Sequence, residues 1–184
     1  AQLGAVLGRE FSYELLRAVA PQDEVTLQQA LAQLMEAELL YQRGLPPHAT
    51  YVFKHVLIQD AAYQSLLKST RQQHHQRIAQ VLEQLFSDTA ATQPEVLAHH
   101  YTEAGLSAQA IPYWQQAGQH ALQRSAPAEA IAHLTQGLAV LTTLPETPEH
   151  LHQELDLQVA LGSALRSAGG RGAGGRPWSG HCPA

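Results

Sequence analysis

The sequence predicts a mainly α fold with one small β-hairpin in its first third and helix pairs after it. Three observations predict this. Ala, Leu and Gln dominate the 184 residues and favour helix. Two β-prone runs, Leu39–Tyr41 and Tyr51–Phe53, flank a turn-rich loop, 42–50, that holds Gly44, Pro46 and Pro47. From Pro94 onward, small and aromatic residues recur at the spacing of paired antiparallel helices.

In chain order, Leu3–Leu7 is a first short apolar segment. Ser12 is the predicted N-cap of a second helix, and Pro21 ends it. Asp23 caps a third helix, with Leu27, Ala30, Leu31 and Leu34 on one face. The hairpin follows, and a helix begins at His55. Val56, Leu57, Ile58, Ala61, Ala62, Tyr63, Leu66 and Leu67 make that helix apolar almost all round, leaving a strip of Asp60, Gln64 and Lys68. Such a helix is expected to be central and covered on nearly every side. Three helices, a two-stranded ribbon and a further helix make residues 1–68 a winged-helix pattern. Residues 69–93 read as a linking helix, about Thr70 to Phe86, and a polar break.

Residues 94–168 read as a tetratricopeptide-like α-solenoid of four helices, near 94–104, 108–124, 127–143 and 149–167. Leu97, Ala98, Tyr101, Gly105, Ala110, Trp114 and Ala117 match L-G/A-x2-Y-x3-G-x4-A-x3-F/W-x2-A. Gly118, Ala130 and Leu134 continue the spacing into a second unit. All these residues are assigned to packing between helices; Tyr113 and Trp114 could instead be a ligand-stacking pair, but the spacing favours interhelix core for Trp114, as for Tyr101. A stack of this kind is expected to continue in a longer protein. Residues 169–184, Gly-rich and without periodicity, are expected to be a disordered tail.

Composition narrows the function. Hydrophobic residues are 45% and charged residues 15%, enough for a real core. A net charge of −5 argues against broad nucleic-acid or membrane-surface binding. The third helix is read as carrying Glu24, Glu36 and Glu38 and no Lys or Arg, so the winged helix is expected to pack on protein and not on DNA. The lone Cys182 excludes an internal disulfide and suits a reducing compartment, and the expected location is cytoplasmic. No apolar run reaches membrane-spanning length. The start at Ala1, in mid-pattern, suggests a piece of a longer protein.

No G-x4-G-K-S/T loop, no G-x-G-x-x-G after a strand and no H-E-x-x-H are present, and no paired carboxylates are expected in a plausible pocket, so no catalytic residue is assigned. The eleven histidines suggest a metal. Yet the adjacent pairs His74–His75 and His99–His100 point about 100° apart on a helix, and no metal ligand is assigned. His55 carries the one sharp hypothesis. Its ring can donate to a phosphate beside a helix N-terminus; the alternative is a capping or buried structural histidine.

Five segments in order carry a family resemblance. They are A-V-L-G-R-E-F from Ala5, F-K-H-V-L-I-Q-D-A-A-Y from Phe53, R-x2-H-H-x2-I-A from Arg71, L-A-H-H-Y-T-E-A-G from Leu97, and A-I-x-Y-W-x2-A-G from Ala110. Together they resemble the region after the ATPase domain in STAND-type predicted ATPases. These are bacterial multidomain proteins that join an AAA ATPase and tetratricopeptide repeats to a class III adenylate/guanylate cyclase or a protein kinase.

The resemblance implies a non-catalytic regulatory region. Its repeats would bind a partner protein or signal, and its winged helix would couple that event to the upstream ATPase domain, where ATP or ADP with Mg²⁺ is expected. It implies that His55 stands where the family's M-H-D histidine contacts the β-phosphate of ADP. Lys54 and Val56 stand where the motif has Met and Asp. The alternatives are part of a STAND-type transcription regulator, or a plain tetratricopeptide scaffold.

Overall fold

A computed structural model describes residues 1–169. Ten helices and one three-stranded antiparallel sheet are found among them. Two compact units result, Ala1–Ala110 and a second that begins at Ile111.

The first unit runs α1 (Gln2–Leu7), β1 (Glu10–Ser12), α2 (Tyr13–Val19), α3 (Glu24–Glu36), β2 (Leu40–Arg43), β3 (Thr50–Phe53), α4 (Val56–Gln64), α5 (Lys68–Leu85), α6 (Ser87–Thr92) and α7 (Pro94–Glu103). The capping residues act as their chemistry dictates. Ser12 Oγ accepts from the Leu15 N–H at 3.1 Å, and Asp23 Oδ1 accepts from the Thr26 N–H at 3.0 Å. Strand β3 is central, pairing antiparallel with both neighbours in the order β1-β3-β2. Its alternation buries Tyr51 and Phe53. Their rings meet Phe11 of β1, with centroids 6.0 and 5.9 Å apart. Leu16, Leu27, Leu31 and Leu40 complete this core. Gly4 is required by the same packing, because a Cβ there would lie 2.8 Å from the Phe11 ring.

Three expectations are corrected here. The ribbon is not two-stranded: β1 adds a third strand, its pairing supplied by β3 and not by its own short sequence. The helix from Val56 is not central. No residue of α4 is fully buried, and Leu57 is 75% exposed. Only one side of it, with Ile58, Ala62 and Tyr63, packs on the core. The polar break 87–93 contains the short helix α6. The expected linking helix is α5, and it is packed within the first unit, burying His75, Ile78, Ala79 and Leu82.

The second unit contains the part of α8 (Ser107–Gln123) from Ile111 onward, then α9 (Pro127–Leu141) and α10 (Pro148–Gly169). Helix α9 buries Ala130, Leu134, Gly137, Val140 and Leu141, and α10 buries Leu157 and Ala164. A Cβ on Gly118 would lie 2.5 Å from Leu134 Cγ, so the bare backbone there lets α8 and α9 approach closely. Gly169 closes α10; the rest of the expected tail, 170–184, lies outside the described residues.

Candidate functional site

His55 lies between β3 and α4. It is the residue before the helix, in extended conformation (φ −134°, ψ 141°), and it is exposed. Its side chain makes no capping hydrogen bond. His55 therefore occupies the N-cap position without a side-chain cap bond, and it is not buried. Lys54 before it is tied to Glu38 at 2.6 Å, while Val56 and Leu57 after it are exposed. His55 thus stands at the open N-terminus of a nine-residue helix, beside an apolar surface. The unpaired N–H groups of such a terminus favour an anion.

The residues assigned to repeat packing are largely inside. Leu97, Ala98, Tyr101 and Ala110 are buried in the first unit; Trp114, Ala117, Ala130 and Leu134 are buried in the second. Gly105 takes a positive φ of 77° just after α7, the conformation glycine accepts most readily. Gly118 sits under Leu134. Tyr101 Oη donates to Glu83 Oε2 at 2.7 Å, joining α7 to α5. The Trp114 ring stacks on His133 with centroids 5.7 Å apart.

A second constellation was not legible in the sequence. One histidine of each adjacent pair turns inward. His75 is 1% exposed and His100 is 3% exposed. Their Nδ1 atoms meet at 2.8 Å, joining α5 to α7. Tyr63 Oη lies 3.1 Å from His75 Nε2 and donates to Glu103 Oε2 at 3.4 Å. His99 stands edge-on to His75 with ring centroids 5.7 Å apart. Burial pulls His75 down to about 4 and His100 down to about 3; neighbouring histidines act in the same direction. Both imidazoles are therefore neutral at pH 7. The sequence signal was only two H-H dipeptides, 25 residues apart between His75 and His100, with nothing to say that they meet.

Neither a family model nor a solved structure matches this chain. Over 166 residues it is 31% identical to an uncharacterized protein of Rhizobium meliloti (strain 1021). The alignment covers 90% of this chain and 16% of that protein, so the chain spans only a small part of the relative's length.

Proposed function

We propose that this region is a non-catalytic regulatory module of a longer, cytoplasmic STAND-type signalling ATPase. The first unit is read as a winged helix extended by α4 to α7. The order helix–strand–helix–helix–strand–strand, closed into one antiparallel sheet, supports that reading. The helices from α7 onward are read as tetratricopeptide-like repeats that bind a protein partner. The small residues under Leu134 and beside Trp114 support it. The length of the Rhizobium relative, of which this chain matches 16%, leaves room for ATPase and effector domains in such a protein.

The observation that carries the coupling role is the placement of His55. It is exposed, makes no cap bond, and stands at a helix N-terminus beside the exposed Val56 and Leu57. An upstream nucleotide domain seated on this apolar surface would bring a phosphate to the imidazole and to the first N–H groups of α4. Coupling then follows if the contact exists with ADP and is lost with ATP, because a ligand shifts an equilibrium only through differential contacts.

The test is nucleotide exchange by the full-length protein carrying His55→Ala. Faster ADP release and raised basal activity are the expected results. Unchanged release and unchanged activity would exclude the sensor role and leave a scaffold.

A further inference from the structure

A cleft of about 670 Å³ lies against the His75–His100 pair, with walls from α1, α4, α5 and α7. The hydrogen bonds beneath it fix which nitrogens carry protons. Tyr63 has one hydroxyl proton, and the Glu103 carboxylate can only accept it. The Tyr63 oxygen then accepts from His75 Nε2–H. A neutral His75 protonated at Nε2 has a bare Nδ1, so His100 Nδ1–H donates across the 2.8 Å contact. His100 is left with a lone pair on Nε2. The reverse order would turn a lone pair of the Tyr63 oxygen onto the Glu103 carboxylate.

The His100 lone pair has no donor among the described residues. No fully enclosed side-chain nitrogen or oxygen among them lacks a partner, so this nitrogen opens onto the cleft that His100 lines. The same cleft holds the carboxylates of Asp60, Glu95 and Glu103, and no Lys or Arg lines it. Asp60 and Glu95 make no ion pair among the described residues. Arg71 does not line the cleft; it lies over the Tyr63 ring at 5.0 Å and donates to the Tyr63 hydroxyl, which keeps that oxygen an acceptor. Three carboxylates in one concavity concentrate cations.

The acceptors are separate rather than convergent. No three His, Cys, Asp or Glu side chains among the described residues are placed to hold a metal ion. An alkylammonium suits such a site better, since its three N–H donors can reach acceptors on different walls. We propose that the cleft binds a primary ammonium group, with His100 Nε2 accepting one N–H and Asp60, Glu95 and Glu103 supplying the counter-charge. The ligand is either a free di- or polyamine or the lysine side chain of a protein segment. Burial keeps His100 neutral, with its pKa at about 3, so the lone pair is available at pH 7.

The experiment is ¹⁵N NMR of the imidazoles of this chain at pH 7, titrated separately with 1,5-diaminopentane, with a short lysine peptide and with tetramethylammonium. His100 is expected to show a bare Nε2 whose resonance moves with at least one of the two primary amines and not with tetramethylammonium. Response to the diamine alone assigns a free amine; response to the peptide alone assigns a protein segment. Asp60→Asn/Glu95→Gln, which removes two carboxylates of the cleft and leaves the Glu103–Tyr63–His75–His100 proton order in place, is expected to weaken binding by about tenfold or more. The proposal is overturned by a protonated His100 Nε2, by no response to either amine, by an equal response to tetramethylammonium, or by undiminished binding to the double variant. His55 takes no part, so none of these outcomes bears on nucleotide sensing.

Discussion

Helices α4 and α5 follow one another in the first unit, yet α5 is buried on one face and α4 has no fully buried residue. α5 is met by α1, α2, α6 and α7, and it buries Ile78, Ala79, Leu82 and His75. α4 is met by α1 and β3 and reaches α5 and α7 through Tyr63, and its outer side leaves Val56 and Leu57 in the open. Neighbours on several sides turn a helix into core, and neighbours on one side leave it as surface. The two therefore have different work. α5 holds the unit together, with His75 joining it to α7. α4 leaves an apolar patch and a terminus without a side-chain cap at the surface.

The largest expected effect tests the buried face of α5. Ile78→Ala should cost about 2–5 kcal/mol of first-unit stability in urea unfolding, because Ile78 is fully buried and its loss leaves a cavity. A loss below ~1 kcal/mol would contradict the packing of α5.

A smaller, pH-dependent effect should come from the histidine pair. His75 and His100 are held to about 4 and about 3, whereas unfolded imidazoles titrate near 6.5. Between those values the unfolded chain binds more protons, so stability is fully present above pH ~6.5 and declines as pH falls toward 4. The slope is on the order of 1 kcal/mol per histidine per pH unit. Melting temperature against pH should show the decline in the wild-type chain and a shallower one in His75→Phe.

The smallest effect belongs to α4. Leu57→Ser should change stability by no more than about 0.5 kcal/mol, as a surface substitution does. In the full-length protein it should nevertheless disturb ADP retention. A large stability loss in this region alone would mean that Leu57 is covered here, and the contrast between the helices would fail.

These contrasts also show how far the sequence could be read. The caps at Ser12 and Asp23, the stop at Pro21 and the start at Pro94 were legible, because each acts on neighbours within a turn. Strand β1 was not. Glu10-Phe11-Ser12 has one apolar residue, and its strand state comes from pairing with Thr50–Val52, some forty residues away. The exposure of α4 was not legible either, since an all-round apolar pattern shows what a helix can bury and not which neighbours it has. The candidate residue His55 was found by its place before a helix. The His75–His100 pair escaped, because adjacency in sequence does not reveal which ring of each dipeptide turns inward.

The central claim is that the start of α4 is surface here and contact in the longer protein, in a nucleotide-dependent way. Amide hydrogen exchange at Val56–Ile58 tests it most directly, measured in this chain and in the full-length protein with ADP and with ATP. The account predicts fast exchange in this chain, protection with ADP, and release of that protection with ATP. Equal protection in all three states would contradict it.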